Sequence, residues 1–295
     1  MSRNRPRRSV LYMPGANARA LEKARTLDVD CLIFDMEDAV APEEKEVARE
    51  RITAALEAGG YGSREIIVRI NALDSPWGEA DLGAAARARP DGVLVPKVSG
   101  PADIERAGAA LAATGAPGEI AIWAMMETPR AILNALAIAD AGQGPAHRLA
   151  GFVMGTNDLA KETGARPEAE RFALLSWLST CVAAARAGGI AIIDGVYNDF
   201  RDTDGFESEC EQGRALGMDG KTLIHPGQIA AANRVFSPGD AEIALAGKIV
   251  AAFDAPENAG KGVVVVEGRM VERLHLEMAR RTLAITEVIA GRAKT

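Results

Sequence analysis

The sequence predicts an α/β fold, a (β/α)8 TIM barrel with a C-terminal helical extension. Eight short apolar runs recur along the 295 residues, each ending in polar or glycine-rich residues. Most are apolar on consecutive positions rather than alternating, which suits parallel strands covered on both faces. Segments with helical spacing, rich in Ala, Glu, Arg and Leu, separate the runs. Eight such alternations favour a closed barrel over a doubly wound open sheet. No GxGxxG follows the first run, so a dinucleotide-binding sheet has little support.

The strand runs are 10–15 (VLYMPG), 31–37 (CLIFDME), 65–71 (EIIVRIN), 92–97 (GVLVPK), 120–128 (IAIWAMMET), 151–158 (GFVMGTND), 190–196 (IAIIDGV) and 221–226 (KTLIHP). Helical spacing covers 17–27, 43–58, 102–113, 129–139, 171–187 and 206–216. Asn17 suits an N-cap, and Gly188 and Gly189 suit a helix stop. The barrel is expected over 1–228. The remainder, 229–295, reads as helices at 228–236 and 241–253, a loop, a strand at 263–266, a GRM turn and a last helix at 273–289. This tail is expected to be too short for its own core and to pack as a lid on the barrel or on a neighbouring subunit. There is no internal repeat or low-complexity tract.

Composition narrows the classes. Apolar residues make up 48% and charged residues 25%, which excludes a disordered chain. A net charge of −7 argues against nucleic-acid binding through overall positive charge. Cys31, Cys181 and Cys210 are odd in number and form no CxxC pair, so they read as inert apolar residues in a reducing compartment. No apolar run reaches the roughly 18 residues of a membrane span. The basic start, MSRNRPRRS, is not followed by a secretory h-region, so a cytoplasmic location is expected.

In such a barrel, chemistry sits at the carboxyl ends of the strands. Charge gathers there: Asp35, Glu37 and Asp38 after the second run, then Arg69, Lys97, Glu127, Asp158 and Asp194. Charges beside apolar strands are costly to bury unless they are paired or bound to metal. Glu127 and Asp158 would lie on adjacent strands and meet at one ion. Two carboxylates without His or Cys suit a hard cation, Mg²⁺ first and Mn²⁺ second. The rival is a salt bridge from either acid to Lys97. Arg69 can hold a substrate carboxylate with its planar fork, or pair with Glu37 or Asp38. Glu37 and Asp38 are the catalytic acid candidates beside Arg69, and Lys97 and Asp194 are substrate-contact candidates. The three His have no metal-triad spacing; His147 reads as a loop residue, His225 as an outer support of the site and His275 as a residue of the last helix. No GxSxG nucleophile elbow occurs.

Taken together, RRSVLYMPG, FDMEDAVAPEEK, VRIN, VPK, MMETPR, MGTNDLA, GKTLIHPGQI and GRMVERLH resemble the citrate lyase beta-subunit-like family. That branch of the HpcH/HpaI aldolase superfamily includes malyl-CoA and citramalyl-CoA lyases and malyl-CoA thioesterases. The resemblance covers nearly the whole chain. It implies a (β/α)8 barrel assembled as a trimer or hexamer, Mg²⁺ on Glu127 and Asp158, and a substrate carboxylate on Arg69. It also implies that Tyr12, Arg19 and Lys23 contact the CoA moiety. In the lyases, an Asp after the tail strand reaches a neighbour's site as general acid/base; the matching residue here is Glu272, one methylene longer. That departure shifts weight from carbon–carbon cleavage toward hydrolysis.

The activity expected first is Mg²⁺-dependent cleavage of a carboxylated 3-hydroxyacyl-CoA, such as malyl-, citramalyl- or citryl-CoA, to acetyl-CoA and a keto acid. The alternative in the same site is hydrolysis of the malyl-CoA thioester. Further rivals are a non-catalytic CoA-binding subunit of a larger lyase complex and a pyruvate aldolase that does not use CoA.

Overall fold

Consecutive apolar residues form eight parallel strands that close on themselves. The computed structural model describes residues 5–115, 120–142 and 148–292. The strands are β1 (Ser9–Pro14), β2 (Cys31–Asp35), β3 (Glu65–Arg69), β4 (Gly92–Val95), β5 (Ala121–Met126), β6 (Leu149–Met154), β7 (Ala191–Asp194) and β8 (Gly220–Leu223). Each pairs in parallel with the next, and β8 closes onto β1 with Val10 opposite Thr222. Every strand run expected from sequence overlaps one of these strands, and their parallel pairing around the ring establishes the closed (β/α)8 barrel.

Alternation along each strand divides the core in two. Val10, Ile33, Ile67, Leu94, Trp123 and Ile193 belong to one buried cluster that fills the barrel. Their neighbours, such as Leu11, Leu32, Val68, Val93, Ile122 and Ile192, belong to a larger cluster shared with the surrounding helices. Trp123 takes the space left by two glycines: a Cβ on Gly151 would lie 2.3 Å from its ring, and one on Gly92 would lie 2.9 Å away.

The surrounding helices are α1 (Ala18–Ala24), α2 (Lys45–Ala58), α3 (Gly78–Ala88), α4 (Pro101–Ala113), α5 (Pro129–Leu133), α6 (Ala135–Ala141), α7 (Thr156–Thr163), α8 (Leu175–Gly188), α9 (Thr203–Leu216) and α10 (Ile229–Val235). Asn17 caps α1 by accepting from Ala20 N–H at 3.1 Å. Four details differ from the sequence reading. Helix α3 was not foreseen. The helix at 129–139 is two, divided at Asn134, whose side chain donates to the Ser99 carbonyl at 2.8 Å. The residues after Gly155 are not strand but the first turn of α7. The helix expected from 171 begins at Leu175, because Glu170 and Arg171 have left-handed backbone, with φ of 67° and 51°.

The chain separates into two compact units, Arg7–Phe236 and a second that begins at Ser237 and includes Arg5 and Pro6. The second contains α11 (Asp240–Asp254), β9 (Val263–Val266), β10 (Arg269–Glu272) and α12 (Arg273–Arg292). The GRM segment is therefore not only a turn: it leads into β10, which pairs antiparallel with β9, Val265 opposite Met270. Contrary to the expectation of no core of its own, this unit buries Ala246, Ile249, Val264, Val266, Val271, Leu276 and Ala279 together. Among the described residues no helix is long and apolar enough to cross a membrane. The three cysteines are buried.

Candidate active site

Strand parity builds the site. Residues 10, 33, 67 and 125 face the barrel interior, so Tyr12, Asp35, Arg69 and Glu127, two positions further on, continue the same face to the carboxyl end. Arg69 is the centre of one group. Its Nε donates to Asp35 Oδ1 at 2.7 Å and its Nη2 to Asp35 Oδ2 at 2.6 Å. Its Nη1 donates to Asp38 Oδ2 at 3.1 Å and lies 2.8 Å from Glu37 Oε2. The guanidinium also sits 4.9 Å above the Tyr12 ring.

Sequence reasoning offered Glu37 or Asp38 as partner for Arg69. The structure brings both, but gives the bidentate fork to Asp35. Only the Nη1 edge faces the other two acids, of which Glu37 is buried and Asp38 is 62% exposed. Glu37 Oε2, although within ion-pair distance, is buried without a hydrogen bond. Burial pushes the Glu37 carboxyl up to about 8, helped by the charges of Asp38, Glu127 and Asp35 and opposed by Arg69. Burial also raises the Tyr12 hydroxyl, against the pull of Arg69. For Arg69 itself burial works against the charge, but Asp35, Tyr12 and Glu37 hold it firmly protonated.

The second group is Lys97, Glu127 and Asp158. Glu127 is fully buried, and Asp158 lies in the first turn of α7. The Lys97 ammonium lies between them, 3.4 Å from Glu127 Oε1 and 3.0 Å from Asp158 Oδ2. Lys97 N–H donates to Glu127 Oε1 at 2.7 Å, from a left-handed backbone with φ of 56°. Glu127 Oε2 has no partner. Gly155 packs directly on this carboxylate: a Cβ there would lie 2.3 Å from Glu127 Cβ. Burial raises the Glu127 carboxyl while Lys97 opposes it, and Arg69 acts on it electrostatically, so the two groups form one site. The structure shows the lysine reading: both acids converge on the ammonium of Lys97.

These residues fit a hard divalent ion. Two carboxylates meet, and one buried oxygen, Glu127 Oε2, is left without a donor. Among the described residues no group of three His, Cys, Asp or Glu converges, so a hard cation held by Glu127 and Asp158 would need water or substrate for its remaining ligands.

Other expectations fall differently. Asp194 is not a substrate contact. It lies on the opposite strand parity from Ile193, is fully buried, and pairs with Lys221 at 3.0 Å and Arg171 at 2.8 Å, with Glu209 beside both cations. Burial alone would raise Asp194, but Lys221 and Arg171 hold it below the ordinary carboxylate value. Tyr12 is tucked under Arg69, with its hydroxyl 3.6 Å from Met125 sulfur. Arg19 and Lys23 are exposed on α1. Glu272 ends β10 in the second unit, exposed, and its N–H donates to His275 Nδ1 at 3.1 Å. His225 is exposed, stacks on Phe200 at 4.8 Å and accepts from Gly227 N–H at 3.0 Å. His147 lies outside the described residues.

Lys45 was missed, and Asn71 was read only as a polar residue beside Arg69 at the end of the third run. Lys45, at the end of the FDMEDAVAPEEK motif, is buried and donates to the carbonyls of Met36 at 3.0 Å and Glu37 at 2.7 Å. Asn71 donates to the Met36 carbonyl at 2.9 Å. Together they fix the turn that carries Glu37 and Asp38. The only sequence signal of Lys45 was membership of its motif.

Residues 8–226 match the family model described as HpcH/HpaI aldolase/citrate lyase, the whole barrel as built above. The chain belongs to this family. Within it, the chain is 54% identical over 287 residues to a (3S)-malyl-CoA thioesterase of Cereibacter sphaeroides strain KD131, covering 97% of this chain and 96% of that one. It is 36% identical over 291 residues to the citrate lyase subunit beta of Escherichia coli K12, covering 97% and 95%. Among solved structures, the CitE protein of Mycobacterium tuberculosis in complex with magnesium, acetoacetate and coenzyme A matches with a TM-score of 0.74 and 26% identity, over 96% of this chain and 98% of that one. The family's members thus include CoA-ester lyases and a CoA thioesterase, and of the activities expected from sequence, thioester hydrolysis has the more similar relative.

Proposed function

We propose that this chain is a Mg²⁺-dependent hydrolase of a carboxylated 3-hydroxyacyl-CoA thioester, with malyl-CoA as the leading substrate. The observation that carries the reading is the convergence of Glu127, Asp158 and Arg69 at the carboxyl end of a barrel that is 54% identical to a (3S)-malyl-CoA thioesterase. Glu127 and Asp158 would hold Mg²⁺, or Mn²⁺, which when bound polarises the oxygens of the acyl group as a Lewis acid.

The chain's own residues supply the rest. Arg69, positioned by Asp35, turns its Nη1 edge toward an incoming carboxylate, and Asp38 is exposed enough to yield that place. Glu37, held near neutrality by burial, keeps a proton at neutral pH and can donate it to a substrate oxygen. Water adds to the thioester carbonyl, the carbon–sulfur bond breaks, and the free hydroxy acid and CoA thiol leave. Arg19 and Lys23 are surface cations suited to the phosphates of CoA. Glu272 remains the candidate acid/base from a neighbouring subunit. Exposed Val265 and Met270, at 70% and 74%, support a further surface of the second unit packing in a trimer or hexamer.

Carbon–carbon cleavage is the second reading, favoured by the similarity to citrate lyase subunit beta. Incubation with malyl-CoA and Mg²⁺ separates the two. Malate and free CoA are expected; glyoxylate and acetyl-CoA would install the lyase instead. Static light scattering of the purified chain reads its assembly.

A further inference from the structure

Lys97 stands out within the site because one residue acts on Glu127 in two ways. Its backbone N–H donates to Glu127 Oε1, while its ammonium reaches the same oxygen and Asp158 Oδ2. The left-handed φ of 56°, uncommon for a residue with a side chain, turns both groups the same way. The two contacts differ in permanence. The N–H is part of the loop after β4, but the side chain is 35% exposed and Lys97 lines an open cleft of about 730 Å³. Ser99, Thr128, Arg130, Asn134 and Glu162 line that cleft with Lys97. The ammonium therefore has somewhere to go. Glu127 Oε2, left without a partner, shows that the lysine does not satisfy the acid pair completely.

We propose that the Lys97 ammonium is the resident counter-ion of the Glu127–Asp158 pair, and that a divalent cation must displace it into the adjoining cleft in order to bind. The inference rests on the reading of these acids as a metal site. Metal-free protein then exists mainly in a lysine-filled form, and the apparent affinity for Mg²⁺ is lowered by the small fraction in which the acids are vacant. The backbone N–H stays in place throughout and keeps Glu127 aimed.

Calorimetric titration of Mg²⁺, without substrate, into wild type, Lys97→Met, Lys97→Gly and Lys97→Arg tests this. Met removes the charge and keeps most of the bulk. Gly removes the side chain, relieves the left-handed backbone and retains the N–H donor, so it guards against a folding defect in the first variant. The Met and Gly variants are expected to bind Mg²⁺ roughly tenfold more tightly or better than wild type. The Arg variant, which keeps a cation, is expected to stay well below both. Unchanged or weaker Mg²⁺ binding by both neutral variants overturns the proposal, as does an Arg variant that binds as tightly as they do. Absence of Mg²⁺ binding by every form, wild type included, removes the metal reading itself and this proposal with it.

Discussion

The barrel carries the same three-part device at both ends. At the amino end, Arg7 closes a bidentate pair on Glu65, at 2.5 and 2.8 Å, and lies 4.9 Å over the Trp123 ring. At the carboxyl end, Arg69 closes a bidentate pair on Asp35, at 2.7 and 2.6 Å, and lies 4.9 Å over the Tyr12 ring. What differs is the company. Besides Glu65, the carboxylate that acts on Arg7 is Asp219, which pairs with Arg186 at 2.9 Å. Around Arg69 and Lys97 stand three further acids close to or within the barrel, Glu37, Glu127 and Asp158, with Asp38 at the edge. Two buried carboxylate oxygens, on Glu37 and Glu127, have no hydrogen-bond donor there. The first end is built for stability, and the second holds surplus negative charge that a cation and a polar substrate can use.

The sharpest way to break this contrast is Glu127→Gln. Catalysis with malyl-CoA should fall by roughly 10³-fold in kcat/KM, while the denaturation midpoint stays near wild type, because an unsatisfied buried acid is lost. Glu65→Gln should do the reverse. It leaves Arg7 buried without its counter-charge and should cost about 3–5 kcal/mol in chemical denaturation. If instead the Glu65 variant is as stable as wild type, the amino end is not the stabilising one.

Asp194→Asn probes a third buried network that resembles the amino end in its matched charges. Since Glu209 remains beside Lys221 and Arg171, a loss of about 3 kcal/mol is expected. The pH dependence has a definite sign. The Asp194 carboxyl is held below its ordinary value of 3.8, so its contribution is complete above that value and is lost as pH falls below it. Acid titration of stability should be shallower in the variant than in wild type.

Glu37→Gln should show the opposite sign in metal-free protein. Glu37 is raised from 4.5 to about 8, so its contribution is complete below 4.5 and disappears as pH rises through 8. The Gln variant should match wild type below 4.5, overtake it progressively between 4.5 and 8, and remain the more stable above 8 by on the order of 2–4 kcal/mol. The smallest effect belongs to Arg19→Ala with Lys23→Ala. Exposed cations on α1 contribute little to folding, so stability should hold while KM for the CoA ester rises roughly tenfold.

The barrel was legible because its strands are continuous apolar runs, and most of the site because polar residues follow them directly. Arg69, Glu127 and Asp158 are each read off the end of a run. Asp194 misled for a physical reason: in IAIID both faces of the strand are apolar, so nothing in the run says which side its last residue takes. The partners of Arg171 lie 23 and 38 positions away, and contacts that remote leave no local pattern. Helix α3, with the Ala-rich stretch DLGAAARA, has too little polar contrast to mark a face. Lys97 was visible as a charge after a strand, but its left-handed backbone, which aims both its groups at Glu127, is a tertiary property.

The central claim is that Glu127 and Asp158 share a divalent cation at the carboxyl end of the barrel. Calorimetric titration of Mg²⁺ into wild type and Glu127→Gln is its most direct test. Saturable binding of one ion per chain by wild type, lost in the variant, is the predicted result. Equal binding by both proteins, or none by the wild type, would contradict it.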